Sequence, residues 1–408
     1  MHRAIRVGII VGEASGDILG EGLIKAIRQV HPGASFEGIG GPRMKAQGFV
    51  SFYPIDRLSV MGLVDPLKRL PELLHMRANL VRHFKDEPPD LFIGIDSPDF
   101  NLGIELTLRK AGLKTAHYVS PSVWAWRQGR VRKIARAIDM MLTLFPFEAA
   151  FYREHQVPVC CVGHPLADQI PLHSNTLLAR EQLGLCPEGT LIAVLPGSRN
   201  GEINMHGPVF IEAMARLLRD VPGCRFVLPA ANAERHAQLQ AMLQEHPDAD
   251  DALGARLTLL NGQSREAMAA ADLVMMTSGT TALEAMLLKK PMVVGYRVSP
   301  MSYRILSRLI KVDYISLPNL LASEALVPEL IQDDLSACSL ADAMLAWLQD
   351  EPRRRHVLER FDQLHRELRC GASERAAQAV LPLMAAGGGG AAHNRGAGSA
   401  PDSSSQIS

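Results

Sequence analysis

The chain opens with the stretch IRVGIIVGEASGD, residues 5–17, in which a mainly apolar run meets a turn with two glycines. A short apolar run followed by a glycine turn predicts a buried strand that leads into a helix, here near Ile18. Similar apolar runs recur at 36–39, 90–95, 114–119 and 140–144. Helix-like periods lie between them, at 20–30, 70–84 and 102–111. This alternation predicts a parallel sheet covered by helices on both faces.

A second series of apolar runs begins after a polar segment near residues 163–171. The predicted strands of this series are 191–195, 225–228, 257–260, 273–276 and 292–296. The sequence therefore predicts two α/β domains, 1–165 and 166–351, with a cleft between them where ligands usually bind. A charged helical segment, 352–386, and a Gly- and Ser-rich tail, 387–408, complete the chain. We expect the tail to be disordered because it has little apolar surface to bury.

The composition excludes several classes of function. The 408 residues are 47% hydrophobic and carry 43 basic and 43 acidic side chains, so no overall field attracts nucleic acid. Aromatic residues make up only 5%, which argues against stacking of single-stranded bases. The six cysteines form no C-x-x-C pair and suit a reducing cytoplasm, and the 14 histidines show no metal-ligand spacing. No apolar run is long enough to span a membrane, so a protein that meets a bilayer would lie on it.

Two loops of the second domain could hold a phosphate. One carries Arg199 directly after a strand, where a guanidinium can bind a diphosphate with paired donors. The other contains Ser278, Gly279, Thr280 and Thr281 at the start of a helix, where amide and hydroxyl donors suit a pyrophosphate. One turn further, Glu284 could accept hydrogen bonds from ribose hydroxyls. A surface arginine and ordinary helix caps remain the alternatives.

The turn of the first domain has a different character. Glu13 and Asp17 flank Ser15 in this turn, and their carboxylates would repel a phosphate and instead suit sugar hydroxyls or amines. The turn lacks both the G-x-G-x-x-G spacing and a Walker loop. A tight turn in which Asp17 caps the following helix is the alternative.

A candidate general base follows the strand at 90–95. Asp96 and Asp99 lie on the loop at its carboxyl end, where partial burial can raise a carboxylate pKa toward the working pH of a base. We favour Asp96 as the base, since Asp99 stands three residues before Leu102 at a natural cap position. Both residues could also be caps or turn formers.

Two further segments suggest an anionic, partly apolar ligand. Trp124, Trp126 and Arg127 precede a run of cations that no acidic residue interrupts before Arg136. The alternative is a solvated helix face beside core tryptophans. A segment dense in aliphatic residues predicts contact with a membrane surface or acyl chains, or a helix packed on the core. Its apolar members are Val60, Met61, Leu63, Val64, Leu67, Leu70, Leu73 and Leu74.

Together, these motifs resemble the bacterial lipid-A-disaccharide synthase family over about residues 5–380. The resemblance rests on the segments GEASGD at 12–17, VMG at 60–62, GIDSPDFN at 94–101, HYVSPSVWAWR at 117–127, LPGSR at 195–199, SGTTALE at 278–284 and SLPN at 316–319. It implies a GT-B glycosyltransferase, with two Rossmann-like domains whose parallel sheets face a central cleft. The nucleotide sugar would bind mainly to the C-terminal domain.

The resemblance also implies a reaction and a set of roles. UDP-2,3-diacylglucosamine would donate its sugar to 2,3-diacylglucosamine 1-phosphate (lipid X), with inversion, giving a β-1,6-linked disaccharide 1-phosphate and UDP. Asp96 would be the base and Arg199 would stabilise the leaving group, with neither metal nor cofactor. Asn319 would line the uracil or diphosphate pocket, and the Glu13–Asp17 turn would face the acceptor or the base. Asp99, Trp124 and Arg127 would contact substrate.

The resemblance places such an enzyme on the inner face of the cytoplasmic membrane, as a peripheral protein bound to phospholipid. The C-terminal helices, 352–386, would either pack back on the N-terminal domain or exchange with a partner chain in a homodimer. Three other functions remain open from the sequence: a UDP-sugar epimerase or transferase for a water-soluble acceptor, a nicotinamide oxidoreductase, and a non-catalytic scaffold at a membrane surface.

Overall fold

The structure, a computed structural model, describes residues 4–58, 65–246, 253–309 and 312–387. The described part of the N-terminal half forms a seven-stranded parallel sheet in the order β3-β2-β1-β4-β5-β6-β7. Its strands are β1 (Arg6–Val11), β2 (Ser35–Ile39), β3 (Val50–Ser51), β4 (Leu91–Ile95), β5 (Thr115–Tyr118), β6 (Met140–Thr143) and β7 (Val159–Cys161). The central strands are almost entirely buried because helices cover both faces of the sheet.

The helices of this half alternate with its strands. They are α1 (Ala14–Val30), α2 (Pro42–Ala46), α3 (Asp65–Asp86), α4 (Pro98–Lys110), α5 (Val131–Ala137), α6 (Pro146–Glu154) and α7 (Pro165–Gln169), with short 3₁₀ turns at Ile55–Arg57 and Gln128–Arg130. Helix α1 buries Leu23, Ile24 and Ile27 at helical spacing against the sheet. The strand-to-helix alternation read from the sequence is therefore present.

The described part of the C-terminal half forms a second parallel sheet, in the order β10-β9-β8-β11-β12-β13. Its strands are β8 (Leu191–Leu195), β9 (Arg225–Ala230), β10 (Leu257–Asn261), β11 (Leu273–Thr277), β12 (Met292–Tyr296) and β13 (Glu329–Ile331). Its helices are α8 (Thr176–Gln182), α9 (Asn200–Asp220), α10 (Ala233–Glu245), α11 (Ser264–Ala270), α12 (Thr280–Leu287), α13 (Pro300–Leu309), α14 (Leu317–Ala322) and α15 (Ala337–Gln349). 3₁₀ turns occur at Gly254–Arg256 and Gln332–Asp334. Two parallel sheets, each flanked by helices, confirm the predicted fold class.

Two C-terminal helices return the chain to the first sheet. Helix α16 (Glu351–Leu368) leads into α17 (Ala372–Gly387), which packs against α1. The Asp168 carboxylate accepts hydrogen bonds from the amides of Gly371 and Ala372, at 2.9 and 2.7 Å. These bonds tie the return of the chain to the segment that joins the two halves.

The structure differs from the sequence prediction mainly at the ends of elements. Helix α1 begins at Ala14 and not near Ile18, because Gly12 and Glu13 alone form the turn. Strands β3, β7 and β13 were not predicted; each has only two or three residues, too few to show a pattern. The expected disordered tail, apart from Gly387, lies outside the described residues. No helix in the described ranges is long and apolar enough to cross a membrane.

Candidate active site

The loop that carries Asp96 has an unusual backbone. Asp96 and Ser97 both have positive φ, 55° and 44°, a region that non-glycine residues rarely adopt. The Asp96 Oδ1 accepts a bond from the Ser97 amide at 2.8 Å, and the buried Asn101 side chain donates to the Asp96 carbonyl at 2.7 Å. Such local strain persists only where the surroundings impose it, and it is concentrated at functional sites. The loop thus presents a partly buried carboxylate at the carboxyl end of β4.

The glycine turn after β1 lies against this loop. A Cβ on Gly12 would come within 1.6 Å of the Ser97 Oγ, so only glycine allows the two loops to pack this closely. Glu13 and Ser15 are exposed beside them. The structure therefore brings together the turn at Gly12 and the candidate base, because β1 and β4 are neighbouring strands of the sheet.

Asp17 does not have the role that was expected for it. It is buried, and its carboxylate accepts bonds from the amides of Gly41, Arg43 and Met44, at 2.9 to 3.1 Å. These amides lie at the start of α2, so Asp17 caps α2 from a neighbouring helix and is not turned toward a ligand. The sequence could not distinguish the two roles of Asp17, because a carboxylate near the start of a helix is as typical of a helix cap as of a ligand contact.

Asp99 is not the helix cap that was predicted. Helix α4 begins at Pro98, with Ser97 in the cap position, so Asp99 lies inside the first turn. Its side chain is 88% exposed and pairs with Arg130, a member of the predicted basic run. The carboxylates of Asp96 and Asp99 thus have different environments, one held in a tight loop and one facing solvent.

The tryptophan segment after β5 forms a wall of a cavity between the two domains. Trp124 packs edge-on against Phe147 with ring centroids 4.7 Å apart, and the Arg127 guanidinium lies 4.3 Å from the Trp126 ring. Trp124 and Trp126 both line a cavity of about 800 Å³. Part of the segment is therefore packed on the core, as the alternative interpretation held, while the same residues also face the cleft.

A smaller polar pocket lies at the carboxyl ends of β8, β9 and β11. It has a volume of about 300 Å³ and is lined by Gly197, Ser198, Arg199 and the loop Thr277–Thr281. Thr280 is the first residue of α12, so free helix amides and hydroxyls face the pocket. The Arg199 side chain is 76% exposed and is held 2.9 Å from the Glu202 carboxylate. The two predicted phosphate loops thus share one pocket suited to an anion.

Glu284 lies one turn into α12 and pairs with Arg265, whose Nε is 2.9 Å from the Glu284 Oε2. The carboxylate is partly buried beside the polar pocket. The pairing fixes the orientation of the side chain at the position where ribose contact was expected.

Asn319 is placed differently from the expectation. It is buried in the wall of the larger cavity. Its side-chain amide donates to the Val327 carbonyl and accepts from the Val327 amide, at 2.9 Å each, and donates to Glu329 at 2.8 Å. Glu329 also accepts bonds from Ser316. Because the amide of Asn319 is fully used by the protein, the SLPN segment stabilises the wall of the cavity, and the side chain does not line the polar pocket.

The sequence does not reveal two buried features, the His117–Glu105 pair and His206. The His117 Nδ1 and the Glu105 Oε1 share a hydrogen bond of 2.7 Å, and both side chains are fully buried. Burial raises the pKa of Glu105. A Cβ on Gly94, in β4, would come within 2.2 Å of this carboxylate, so the pair supports the strand that leads to Asp96. A glutamate inside an amphipathic helix gives no sequence signal that it is buried.

His206 is the second buried feature that the sequence does not reveal. Its Nδ1 donates to the Glu202 carbonyl at 2.8 Å, and its Nε2 accepts from the Arg297 amide at 3.0 Å. Its ring stacks on Tyr296, with centroids 5.9 Å apart. Burial lowers the pKa of His206, which keeps the ring neutral, as this bonding pattern requires. Only the fold brings helix α9 next to the end of β12, so sequence spacing does not reveal the contact.

The aliphatic segment is only partly described. Leu70 and Leu74 lie one turn apart on α3 and are 47% and 53% exposed, whereas Leu73 is partly buried. Val60, Met61, Leu63 and Val64, and the side chain of Leu67, lie outside the described residues. Across the described ranges, no group of three or more His, Cys, Asp or Glu side chains could hold a metal ion.

Comparisons with known proteins show the family to which the chain belongs. The family model for lipid-A-disaccharide synthetase matches residues 7–380. The lipid-A-disaccharide synthase of Hahella chejuensis is 57% identical over 388 residues, which cover 95% of this chain and 96% of that protein. The lipid-A-disaccharide synthase of Pseudomonas aeruginosa UCBPP-PA14 is 54% identical over 384 residues, which cover 94% of this chain and 99% of that protein.

Solved structures share the fold at low sequence identity. UDP-GlcNAc 2-epimerase from Neisseria meningitidis, bound to UDP-GlcNAc, aligns with a TM-score of 0.61 at 12% identity, over 93% of this chain and all of that chain. A glycosyltransferase from Rickettsia africae aligns with a TM-score of 0.57 at 10% identity, over 96% of this chain and all of that chain. These likenesses confirm the GT-B fold.

Proposed function

Because the chain belongs to the lipid-A-disaccharide synthase family, we propose that it transfers 2,3-diacylglucosamine from UDP-2,3-diacylglucosamine to lipid X. The products are the β-1,6-linked disaccharide 1-phosphate and UDP. The observation that carries this proposal is the polar pocket, where a helix start rich in hydroxyls and the Arg199 guanidinium meet in one place. Such a set of donors matches a diphosphate.

Asp96 acts as the general base in this proposal. It removes the proton from the 6-hydroxyl of lipid X while that oxygen attacks C1 of the donor sugar from the face opposite the diphosphate. The bond between C1 and the diphosphate oxygen breaks, its electron pair leaves with UDP, and the anomeric centre inverts. One base suffices because the leaving group is a phosphate, which needs no protonation to depart. The strained loop and the bond from Asn101 hold the carboxylate in place for this step.

Arg199 and the start of α12 stabilise the charge that develops on UDP. Donors aimed at a developing charge contribute most where they are already oriented. The bond from Arg199 to Glu202 and the amide bonds that Glu202 accepts from Ser198 and Arg199 supply this orientation. Glu284, held by Arg265, accepts bonds from the ribose hydroxyls.

We further propose that the protein binds the cytoplasmic membrane as a peripheral protein on its inner face. The exposed side chains of Leu70 and Leu74 support this placement, because exposed aliphatic residues on one helix face favour contact with lipid. Lysine and arginine residues of the same helix can meet acidic headgroups.

The experiment that tests the function is one incubation of the purified protein with UDP-2,3-diacylglucosamine and lipid X, in the presence of EDTA. Mass spectrometry is expected to show the disaccharide 1-phosphate, with one UDP released per disaccharide. Epimerised nucleotide sugar without disaccharide, or UDP release that requires no lipid X, would refute the proposal. If disaccharide forms without EDTA but not in its presence, the metal-independent mechanism is refuted.

A further inference from the structure

The larger cavity, of about 800 Å³, has no part in the reaction described above. The carboxyl ends of β12 and β13, helices α13 and α14 and the tryptophan segment of the other domain enclose it. Most of its walls are aliphatic or aromatic. They include Trp124, Trp126, Tyr296, Val298, Ala325 and Val327.

Six polar or charged side chains also line the cavity: Ser307, Asp313, Asn319, Glu329, Gln332 and Arg353. Three of them are occupied by bonds to the protein itself. Gln332 bonds both the amide and the carbonyl of Val298, at 2.7 and 3.1 Å. Glu329 accepts from Ile315, Ser316 and Asn319, and the amide of Asn319 is completed by Val327. Because these three groups are occupied and most of the other lining residues are aliphatic or aromatic, the larger part of the surface suits hydrocarbon.

The cavity lies beside the polar pocket along one sheet edge. The pocket is at the ends of β8 and β11, and the cavity is at the ends of β12 and β13, the next two strands in the sheet. One strand spacing, about 5 Å, separates β11 from β12, the nearer of these two strands. A ligand whose diphosphate occupies the pocket therefore needs only a sugar's length to reach the cavity.

His206 stands between the two spaces. It bonds the main chain of Glu202, which lines the pocket, and that of Arg297, and its ring stacks on Tyr296, which lines the cavity. One neutral, buried side chain thus couples the polar wall to the apolar wall.

We propose that this cavity binds one fatty acyl chain of the sugar-nucleotide donor. The inference rests on the proposed function, because it takes the donor to be an acylated sugar nucleotide. The donor is favoured over the acceptor because most of the walls belong to the domain that also holds the polar pocket. The chain length that the cavity accommodates then sets the donor preference.

Calorimetric binding of UDP-diacylglucosamine donors to the full chain tests this inference. Donors with chains of four, six and eight carbons are compared with UDP itself. Wild-type protein is expected to bind about tenfold more tightly for each two methylenes added, as burial of hydrocarbon predicts. Ala325→Trp, which fills the cavity from an exposed wall position, is expected to remove this gradient and leave UDP affinity within about twofold.

Ala241→Trp is the matched control, because Ala241 is exposed on α10 at the far edge of the same sheet. It is expected to keep the wild-type gradient. Equal affinities across the series, or an unchanged gradient in Ala325→Trp, would overturn the inference. A gradient that Ala325→Trp removes for lipid X analogues and not for donors would assign the cavity to the acceptor and overturn it as well.

The binding series is independent of turnover. If no disaccharide forms in the incubation described above, the proposed function fails while the donor gradient still decides the role of the cavity. If disaccharide forms and the gradient is absent, only the cavity inference fails.

Discussion

The side-chain amide of Asn101 donates to the main-chain carbonyl of Asp96 at 2.7 Å and lies within 3.2 Å of the carbonyl of Ile10. One buried side chain thus joins the loop that carries the candidate base to the first strand of the sheet. Asn101 is a positioning residue, since it acts on the main chain of Asp96 and not on substrate.

Asn101→Ala is expected to lower both stability and turnover. It removes the hydrogen bonds from the Asn101 amide to the carbonyls of Asp96 and Ile10, at a cost of about 1–3 kcal/mol in the free energy of unfolding. Because the Asp96 loop loses its support, kcat falls while the Kd for UDP stays near wild type. Urea denaturation, turnover and calorimetry measure the three quantities. A variant that loses stability but keeps wild-type kcat would show that Asn101 has no positioning role.

Arg199→Ala is expected to weaken UDP binding by about 1.5–3 kcal/mol, the contribution of a hydrogen bond to a charged group. Arg199→Lys should recover part of the affinity, because a point charge remains while the paired donors are lost. Calorimetric titration with UDP measures both. Arg216→Ala is the control, since Arg216 lies on α9, the helix that Arg199 precedes, and also pairs with a glutamate, at a partly exposed position away from the pocket. Equal UDP affinities for Arg199→Ala and the control would remove Arg199 from the site.

Asp17→Ala is expected to destabilise the fold without changing UDP binding. The substitution removes three bonds from the amides of Gly41, Arg43 and Met44, which lie at the start of α2. We expect a loss of about 2–4 kcal/mol in the free energy of unfolding, measured by urea denaturation. Unchanged stability together with a raised KM for lipid X would restore the original expectation that Asp17 faces the acceptor.

His164 is expected to make the fold sensitive to acid. It stacks on Phe145, its Nδ1 accepts from the Leu166 amide at 3.1 Å, and burial lowers its pKa to about 4. In the unfolded chain His164 has its ordinary pKa of about 6.5. The buried neutral ring therefore contributes its full stability above pH 6.5, and this contribution is lost as the pH falls toward 4.

His164→Asn tests this sign, because asparagine can also cap α7 but does not titrate. Wild type should lose up to about 3 kcal/mol more than the variant between pH 7 and pH 4, measured by urea denaturation. Parallel pH profiles for the two proteins would contradict the account.

The parts of the fold that the sequence predicted depend on local pattern. Apolar runs such as Leu191–Leu195 and Met292–Tyr296 are strands with the predicted bounds, and the loops at Arg199 and Ser278 do meet in one pocket. Contacts between distant segments were not predictable in this way. Asp17 and Asn319 bond loops 24 and 8 residues away along the chain, and His206 meets Arg297 across 91 positions. The apolar cavity was not predictable either, because its walls come from segments of both domains that are distant along the chain.

The most direct test of the central claim is the turnover of Asp96→Asn, measured as disaccharide formed from UDP-2,3-diacylglucosamine and lipid X. Asparagine keeps the size of the side chain but cannot take the proton, so kcat is expected to fall about 10²- to 10⁴-fold while UDP affinity stays the same. Asp86→Asn, at an exposed carboxylate at the end of α3, should keep wild-type turnover. Turnover of Asp96→Asn close to that of wild type would contradict the assignment of Asp96 as the base.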